Sequence, residues 1–204
     1  VERDLLGVAC GPLDPIACVS REPILLRWAS NGAVSIEAIH PAQTLHLVVA
    51  SFAAPRNTPA ILRALQEHAS GAAASGLDPE AVDAVGAALA TFAAEAEQGS
   101  GALQAGDAAA LGLSMDRCQQ AYERMAARIP ALHAAALTRA VQELKAGGAL
   151  GAKFSGAGGD GSVIGLFQEQ QGAEQAQAWM HKQQGVNAWI CQIRSRPEGR
   201  GWAQ

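Results

Sequence analysis

Between Gly151 and Ile164 the chain reads Gly-Ala-Lys-Phe-Ser-Gly-Ala-Gly-Gly-Asp-Gly-Ser-Val-Ile, with glycine at five of fourteen positions. Such density lets a backbone turn very sharply or come close to another group. Consecutive exposed N–H groups in a loop of this kind form a concave nest suited to phosphate oxygens. A tight hairpin turn would use the same residues, and both readings stand on the run alone. The letters from Gly156 to Gly161 satisfy G-x-G-x-x-G, but a dinucleotide fold requires a helix to open there. The next residues are instead Ser-Val-Ile-Gly-Leu-Phe, a strand-like run, and no Gly-Lys-Ser/Thr triplet occurs anywhere. Strand, loop, strand is the expectation, with positive φ at several of Gly156, Gly158, Gly159 and Gly161.

The flanking pattern is mixed. Residues 24–28 and 34–38 flank the turn signal Ser30-Asn31-Gly32 and read as two strands. Residues 45–52 form a continuous apolar run of strand length, buried on both faces. Thr58 and Pro59 suit the first turn of a helix reaching His68. After a small-residue linker at 71–76, Asp78-Pro79-Glu80 starts a helix to Gln98, with a break at Gly99-Ser100-Gly101. Shorter helices come next at 102–111 and 115–127, and Pro130 opens another that ends at Gly147-Gly148. Strand 161–168, helix 173–184 and strand 186–194 complete the order, before a polar tail from Pro197. Strands and helices in this sequence predict an α+β fold, an antiparallel sheet with helices on one side.

The net charge of −4 argues against nucleic acid or an anionic membrane as main partner. No apolar run reaches the 18 or so residues of a membrane span. Cys10, Cys18, Cys118 and Cys191 are dispersed and read as buried free thiols in a reducing, cytoplasmic setting. The five histidines show no metal-ligand spacing, so no metal site of the chain's own is expected.

Three stretches, in order, carry a resemblance. Residues 151–167 resemble the third motif of the GHMP kinases (galacto-, homoserine, mevalonate and phosphomevalonate kinases), roughly Lys-x-Ser/Thr-Gly-Ala-Gly-x-Gly-Gly before an apolar strand. Cys10-Gly11-Pro12-Leu13-Asp14 resembles the segment that carries the family's catalytic aspartate. His46 to Phe52, with Pro55-Arg56-Asn57-Thr58, resembles the strand and turn that open its second domain.

The resemblance implies a ferredoxin-like C-terminal domain at 45–196, a remnant of the N-terminal domain at 1–44 and a flexible tail at 197–204. It implies ATP and Mg²⁺, with Asp14 taking or orienting the proton of an acceptor hydroxyl. Ser155, Gly156, Ala157, Gly158, Gly159 and Gly161 would hold phosphates. Lys153 could favour an anionic substrate group or simply be solvated on its strand. Arg56 could reach the substrate cleft from a strand end, although turn chemistry explains its neighbours as well. The alternative for Asp14 is a helix cap.

The family places Gln or Asn after its aspartate, where this chain has Pro15, and many members have glycine where Asp160 stands. The family's Pro-x-x-x-Gly-Leu-Gly-Ser-Ser phosphate loop has no counterpart before Asp14. A kinase inactive without that half is therefore expected, with a homodimer or a separate N-terminal half as partner. Cys-Gly-Pro-Leu-Asp leans to a sugar acceptor, and Pro-Arg-Asn-Thr to a mevalonate-like one. The rival is a non-catalytic ferredoxin-like domain that binds a ligand or partner.

Overall fold

The computed structural model describes residues 13–20, 22–29, 31–53, 58–70, 76–158 and 161–195. Among them, α1 (Leu13–Ser20) leads into a hairpin of β1 (Ile24–Trp28) and β2 (Val34–Ala38), and then β3 (Leu45–Phe52). Four helices come next: α2 (Thr58–Ala69), α3 (Pro79–Ala105), α4 (Ala108–Ala126) and α5 (Ala135–Ala146), with a 3₁₀ turn at Pro130–Leu132 before the last. Strands β4 (Gly151–Ser155) and β5 (Ser162–Phe167), helix α6 (Gln170–His181) and β6 (Val186–Ile193) close the order.

The apolar run of β3 makes it an inner strand. It lies between β5 and β6 in a four-stranded antiparallel sheet of order β4-β5-β3-β6. That order, reached by strand, helices, two strands, helix and strand, is the ferredoxin-like arrangement. Val48 and Ala50 point to one face and pack with Val163, Phe154, Leu137, Leu144, Met125 and Met180. Leu45 and Leu47 point to the other and meet Leu25, Ile39, Leu103 and Met115. Alternate residues of one strand thus feed two cores. The second face is covered as well, by the hairpin and by the bend between α3 and α4.

Several boundaries differ from the sequence reading. Gly99-Ser100-Gly101 does not end a helix: α3 runs through it to Ala105. A Cβ on Gly99 would lie 3.3 Å from Leu111 Cδ1, so the missing side chain lets α4 approach. The real stop is Gly106, left-handed at φ 73°, and Asp107 Oδ1 accepts from the Ala110 amide to start α4. Two residues join the helices, which makes them an antiparallel pair. Pro130 opens only one 3₁₀ turn, and α6 begins at Gln170. Asp78 caps α3 as expected, accepting from the Glu80 amide at 3.1 Å.

Strand β4 is an edge, but its outward amides are taken. Asp116 Oδ1 accepts from Ala152 N at 3.0 Å and Gln119 Oε1 from Phe154 N at 2.9 Å, both from α4. Asp116 Oδ2 also receives Lys145 Nζ at 2.6 Å, and Lys145 donates again to Leu150 O. The β1–β2 hairpin is held to α3 through Arg27, which donates twice to Glu97 and once to Glu37. These exposed pairs raise the Arg27 pKa and lower that of Glu97, each chiefly through the hydrogen bond to the other.

Candidate functional site

The glycine run is a hairpin. Ser155 pairs with Ser162 at the end of the β4–β5 ladder, and the chain turns between them. Gly156 (φ 72°) and Gly158 (φ 78°) are left-handed, which glycine adopts without the Cβ penalty of other residues. Gly161 is not left-handed; its carbonyl accepts from Phe52 N at 3.1 Å and ties the loop to the end of β3. Gly159 and Asp160 lie outside the described residues, as do Arg56 and Cys10.

Tyr122 of α4 fixes the loop from below. Its hydroxyl lies 3.2 Å from the carbonyls of Ala157 and Leu132, and its ring meets Phe154 edge-on at 4.9 Å. A Cβ on Gly158 would run into that hydroxyl, so glycine there meets a steric as well as a conformational demand.

The loop stands at the rim of a cavity of about 840 Å³ between α2, α3, α4 and the β1 end of the hairpin. Gly156 and Ala157 line it, with Lys153 and Phe154 below. Most of the wall is apolar, from Leu65, Val85, Phe92 and Met115 among others. Its polar members include Lys153, Glu95, Cys118, Ser114 and Gln119.

Lys153 is not a solvated strand lysine. Burial lowers its pKa, opposed in part by the Cys118 thiolate, and its Nζ donates to Phe154 O at 2.6 Å. Burial raises the Cys118 thiol, against the pull of Lys153. Glu95 is buried, with Arg117 Nη1 at 3.4 Å from Oε1 and no partner for Oε2 among the described residues. Cys118 is half-buried while Cys18 and Cys191 are exposed, so the expectation of uniformly buried thiols fails for those two.

Asp14 sits exposed in the first turn of α1. Its neighbour Leu13, and not Asp14, belongs to the cavity wall. Ser155, Gly156, Ala157, Gly158 and Lys153 are brought together by the hairpin.

Tyr122, Gln119 and Glu95 escaped the sequence reading, which has Cys118 only as a buried free thiol. A signal was present: Met115, Cys118, Gln119 and Tyr122 recur at i, i+3, i+4 and i+7, one face of α4, as Phe92, Glu95, Ala96 and Gly99 do on α3. Among the described residues no group of three His, Cys, Asp or Glu side chains could hold a metal ion, and no helix is long and apolar enough to cross a membrane.

Comparison with known proteins adds to this geometry. Residues 100–186 match the family model described as GHMP kinases C terminal. Among solved structures, L. major mevalonate kinase in complex with R-mevalonate aligns with a TM-score of 0.68 at 21% identity, over 84% of this chain and 49% of that one. Streptococcus pneumoniae phosphomevalonate kinase, in complex with phosphomevalonate and AMPPNP, gives 0.65 at 12%, over 90% and 56%. Lactococcus lactis galactokinase complexed with galactose gives 0.63 at 16%, over 95% and 57%. The chain thus spans about half the length of these kinases, and at such identities the likeness is one of fold. A sequence search of curated proteins finds no match.

Proposed function

We propose, from the match of residues 100–186 to the GHMP kinases C-terminal model, that the chain serves ATP-dependent phosphoryl transfer to a small-molecule alcohol. The observation that carries this reading is the hairpin loop with left-handed Gly156 and Gly158, braced by Tyr122 beside a cavity of about 840 Å³. Phosphoryl transfer asks a protein mainly to hold phosphates and place the acceptor in line. In this reading Ser155 and the backbone of Gly156, Ala157, Gly158, Gly159 and Gly161 receive the nucleotide phosphates. Lys153 and Arg56 face the acceptor, and Asp14 takes or orients its hydroxyl proton, a contribution of roughly 10²–10⁴-fold.

The three similar kinases were solved with R-mevalonate, with phosphomevalonate and AMPPNP, and with galactose. A sugar or a mevalonate-like hydroxy acid is accordingly the acceptor class proposed. Mg²⁺ would enter with the nucleotide and neutralise phosphate charge. The described carboxylates do not group to hold it, so no step is assigned through it. The division at 44/45 into a piece of an N-terminal domain and a C-terminal domain belongs to the same proposal, as do a cytoplasmic setting and a homodimer or N-terminal half as partner.

The test is ADP release, with sugars and mevalonate as acceptors, from a polypeptide joining these residues to a segment with the Gly-Leu-Gly-Ser-Ser loop. Asp14→Asn is expected to suppress kcat while leaving ATP affinity unchanged, because its role concerns the acceptor. Full kcat in that variant removes Asp14 from the mechanism, and no turnover with any acceptor removes the kinase reading. One observation favours the non-catalytic alternative: Asp14 is exposed and outside the cavity wall. In that case acceptors bind without ADP release.

A further inference from the structure

Strand β4 sends Ala152 and Phe154 into the core and, by alternation, Lys153 to the opposite face beside its cross-strand partner Ile164. There the side chain lines the cavity and is only part-buried, so it keeps accessible surface. No carboxylate pairs with it among the described residues. The titratable groups that share the wall are Glu95 from α3, whose carboxylate takes Arg117, and Cys118 from α4, whose thiol burial keeps protonated. Desolvation is accordingly the largest influence on the amine and favours its neutral form.

A neutral amine has two N–H groups and one lone pair. One N–H goes to Phe154 O at 2.6 Å, the one hydrogen bond of Nζ among the described residues. The lone pair is left as a nucleophile, the condition in which lysines of apolar pockets attack carbonyl carbon. The chain's other two lysines differ. Lys145 Nζ spends its protons on Asp116 Oδ2 at 2.6 Å and Leu150 O at 2.8 Å, and Lys182 is exposed. Beyond the amine the cavity wall is largely hydrocarbon, from Leu65, Val85, Phe92 and Met115. Its volume of about 840 Å³ is in the range of small-molecule sites.

We propose that Lys153 is a carbonyl-reactive amine, and that an apolar aldehyde of medium length enters the cavity, lays its chain against the α3–α4 wall and condenses with Nζ to an imine. Nζ bonds to the aldehyde carbon, the two amine protons leave with the carbonyl oxygen as one water, and a C=N bond remains. Neither oxidant nor reductant is needed. The imine is neutral and lacks N–H groups, so it suits an apolar wall better than an ammonium does. The reaction goes beyond the kinase reading and does not require it, since neither nucleotide nor Asp14 takes part. An acceptor lying beside Lys153 would share the space and exclude the aldehyde while bound.

The experiment uses the 204-residue chain without nucleotide or acceptor. Hexanal is added with sodium cyanoborohydride, which reduces the imine to a stable hexylamine, and peptide mass mapping reads each lysine separately. Lys153 is expected to be labelled several-fold faster than Lys182 or Lys145. Acetaldehyde, too short to use the apolar wall, should lose most of that selectivity. Hexanol, which has the chain but no carbonyl, should slow labelling at Lys153 several-fold and leave Lys182 unaffected. Between about pH 9 and about pH 7, below the ordinary lysine value, labelling of Lys182 should fall more steeply than that of Lys153. Labelling of Lys153 no faster than Lys182, equal selectivity with acetaldehyde, or no effect of hexanol overturns the proposal. Failure of the kinase assay does not touch it, because the adduct forms without ATP.

Discussion

Gly112 on α4 and Gly151 at the head of β4 lie backbone against backbone. A Cβ on Gly112 would sit 2.6 Å from the carbonyl carbon of Leu150, and one on Gly151 would run into the Gly112 carbonyl. Neither obstacle is a side chain that could swing away. Gly112→Ala is therefore expected to push α4 off the sheet edge and destabilise the fold by about 2 kcal/mol, in the range of overpacked cores. Urea unfolding measures it, and a change below about 0.5 kcal/mol, as for ordinary surface substitutions, means the helix can shift freely.

Asp116 spends both carboxylate oxygens, one on the Ala152 amide and one on Lys145. Asp116→Ala leaves a strand amide and an ammonium without their acceptor, and a loss of about 2 kcal/mol is expected. Asp116→Asn keeps an acceptor for one of them and should lose less. Amide exchange at Ala152 provides the local check: protection there must fall more than at Val163 in the neighbouring strand. Uniform exchange across the sheet would contradict the edge-sealing role.

The two ends of the glycine loop make a paired comparison. Gly158→Ala meets both a left-handed φ and the Tyr122 hydroxyl, so a cost of about 1–3 kcal/mol is expected. Gly161 is not left-handed, and its Cβ would lie 3.3 Å from the Gly158 carbonyl, so Gly161→Ala should cost less. Thermal melts of the two variants, side by side with Tyr122→Phe, would show this. Equal destabilisation by the two alanines would mean that Tyr122 does not set the loop.

Lys153 should leave a signature in the pH dependence of stability. Burial holds its folded pKa below the ordinary lysine value, so between the two values the unfolded chain binds the extra proton. Stability from this group is lowest below the folded pKa and rises with pH until the ordinary lysine range is passed. Cys118, facing it from α4, acts in the opposite sense: its raised pKa makes stability fall as pH climbs through the ordinary thiol range. Glu95 faces the same space from α3. Lys153→Met removes the first component and, with it, the pull that Lys153 exerts on the Cys118 thiol. Its advantage over the parent should be largest near about pH 6 and shrink toward about pH 10, bracketing the usual thiol range and approaching that of lysine. An advantage that stays constant with pH would show that Lys153 is hydrated.

Elements with strong local chemistry are legible in the sequence. The apolar run at 45–52, the Asp78-Pro79 helix start and the strand after the glycine loop all stand where pattern places them. The α+β class is legible too, and the resemblance read from residues 151–167 falls within the stretch that matches the GHMP kinases C-terminal model. Features that depend on partners distant in sequence are not. Gly99 and Gly101 look like a helix break because an isolated helix loses stability at glycine, by about 1 kcal/mol each relative to alanine. Close approach of Leu111 to Gly99 reverses that preference. Lys153 alternates along β4 as a solvated residue would, and only the position of α3 and α4 buries it. Asp116 and Gln119 read as polar residues of an exposed helix face, because nothing local says that a strand edge will arrive there from some 35 residues on.

That arrival has a consequence for association. Of the sheet's two margins, the β4 side is closed to further strands, since Asp116 and Gln119 occupy amides that another chain would need. The β6 side carries exposed Trp189, with exposed Trp179 on the adjoining helix. Any strand added to this sheet, from a second copy or from a misfolded chain, can therefore join at one margin only. Two copies joined there would bury their open margins against each other and stop. Growth into a filament by strand addition to this sheet alone, which needs a free margin on each side of every copy, is barred by two side chains of α4.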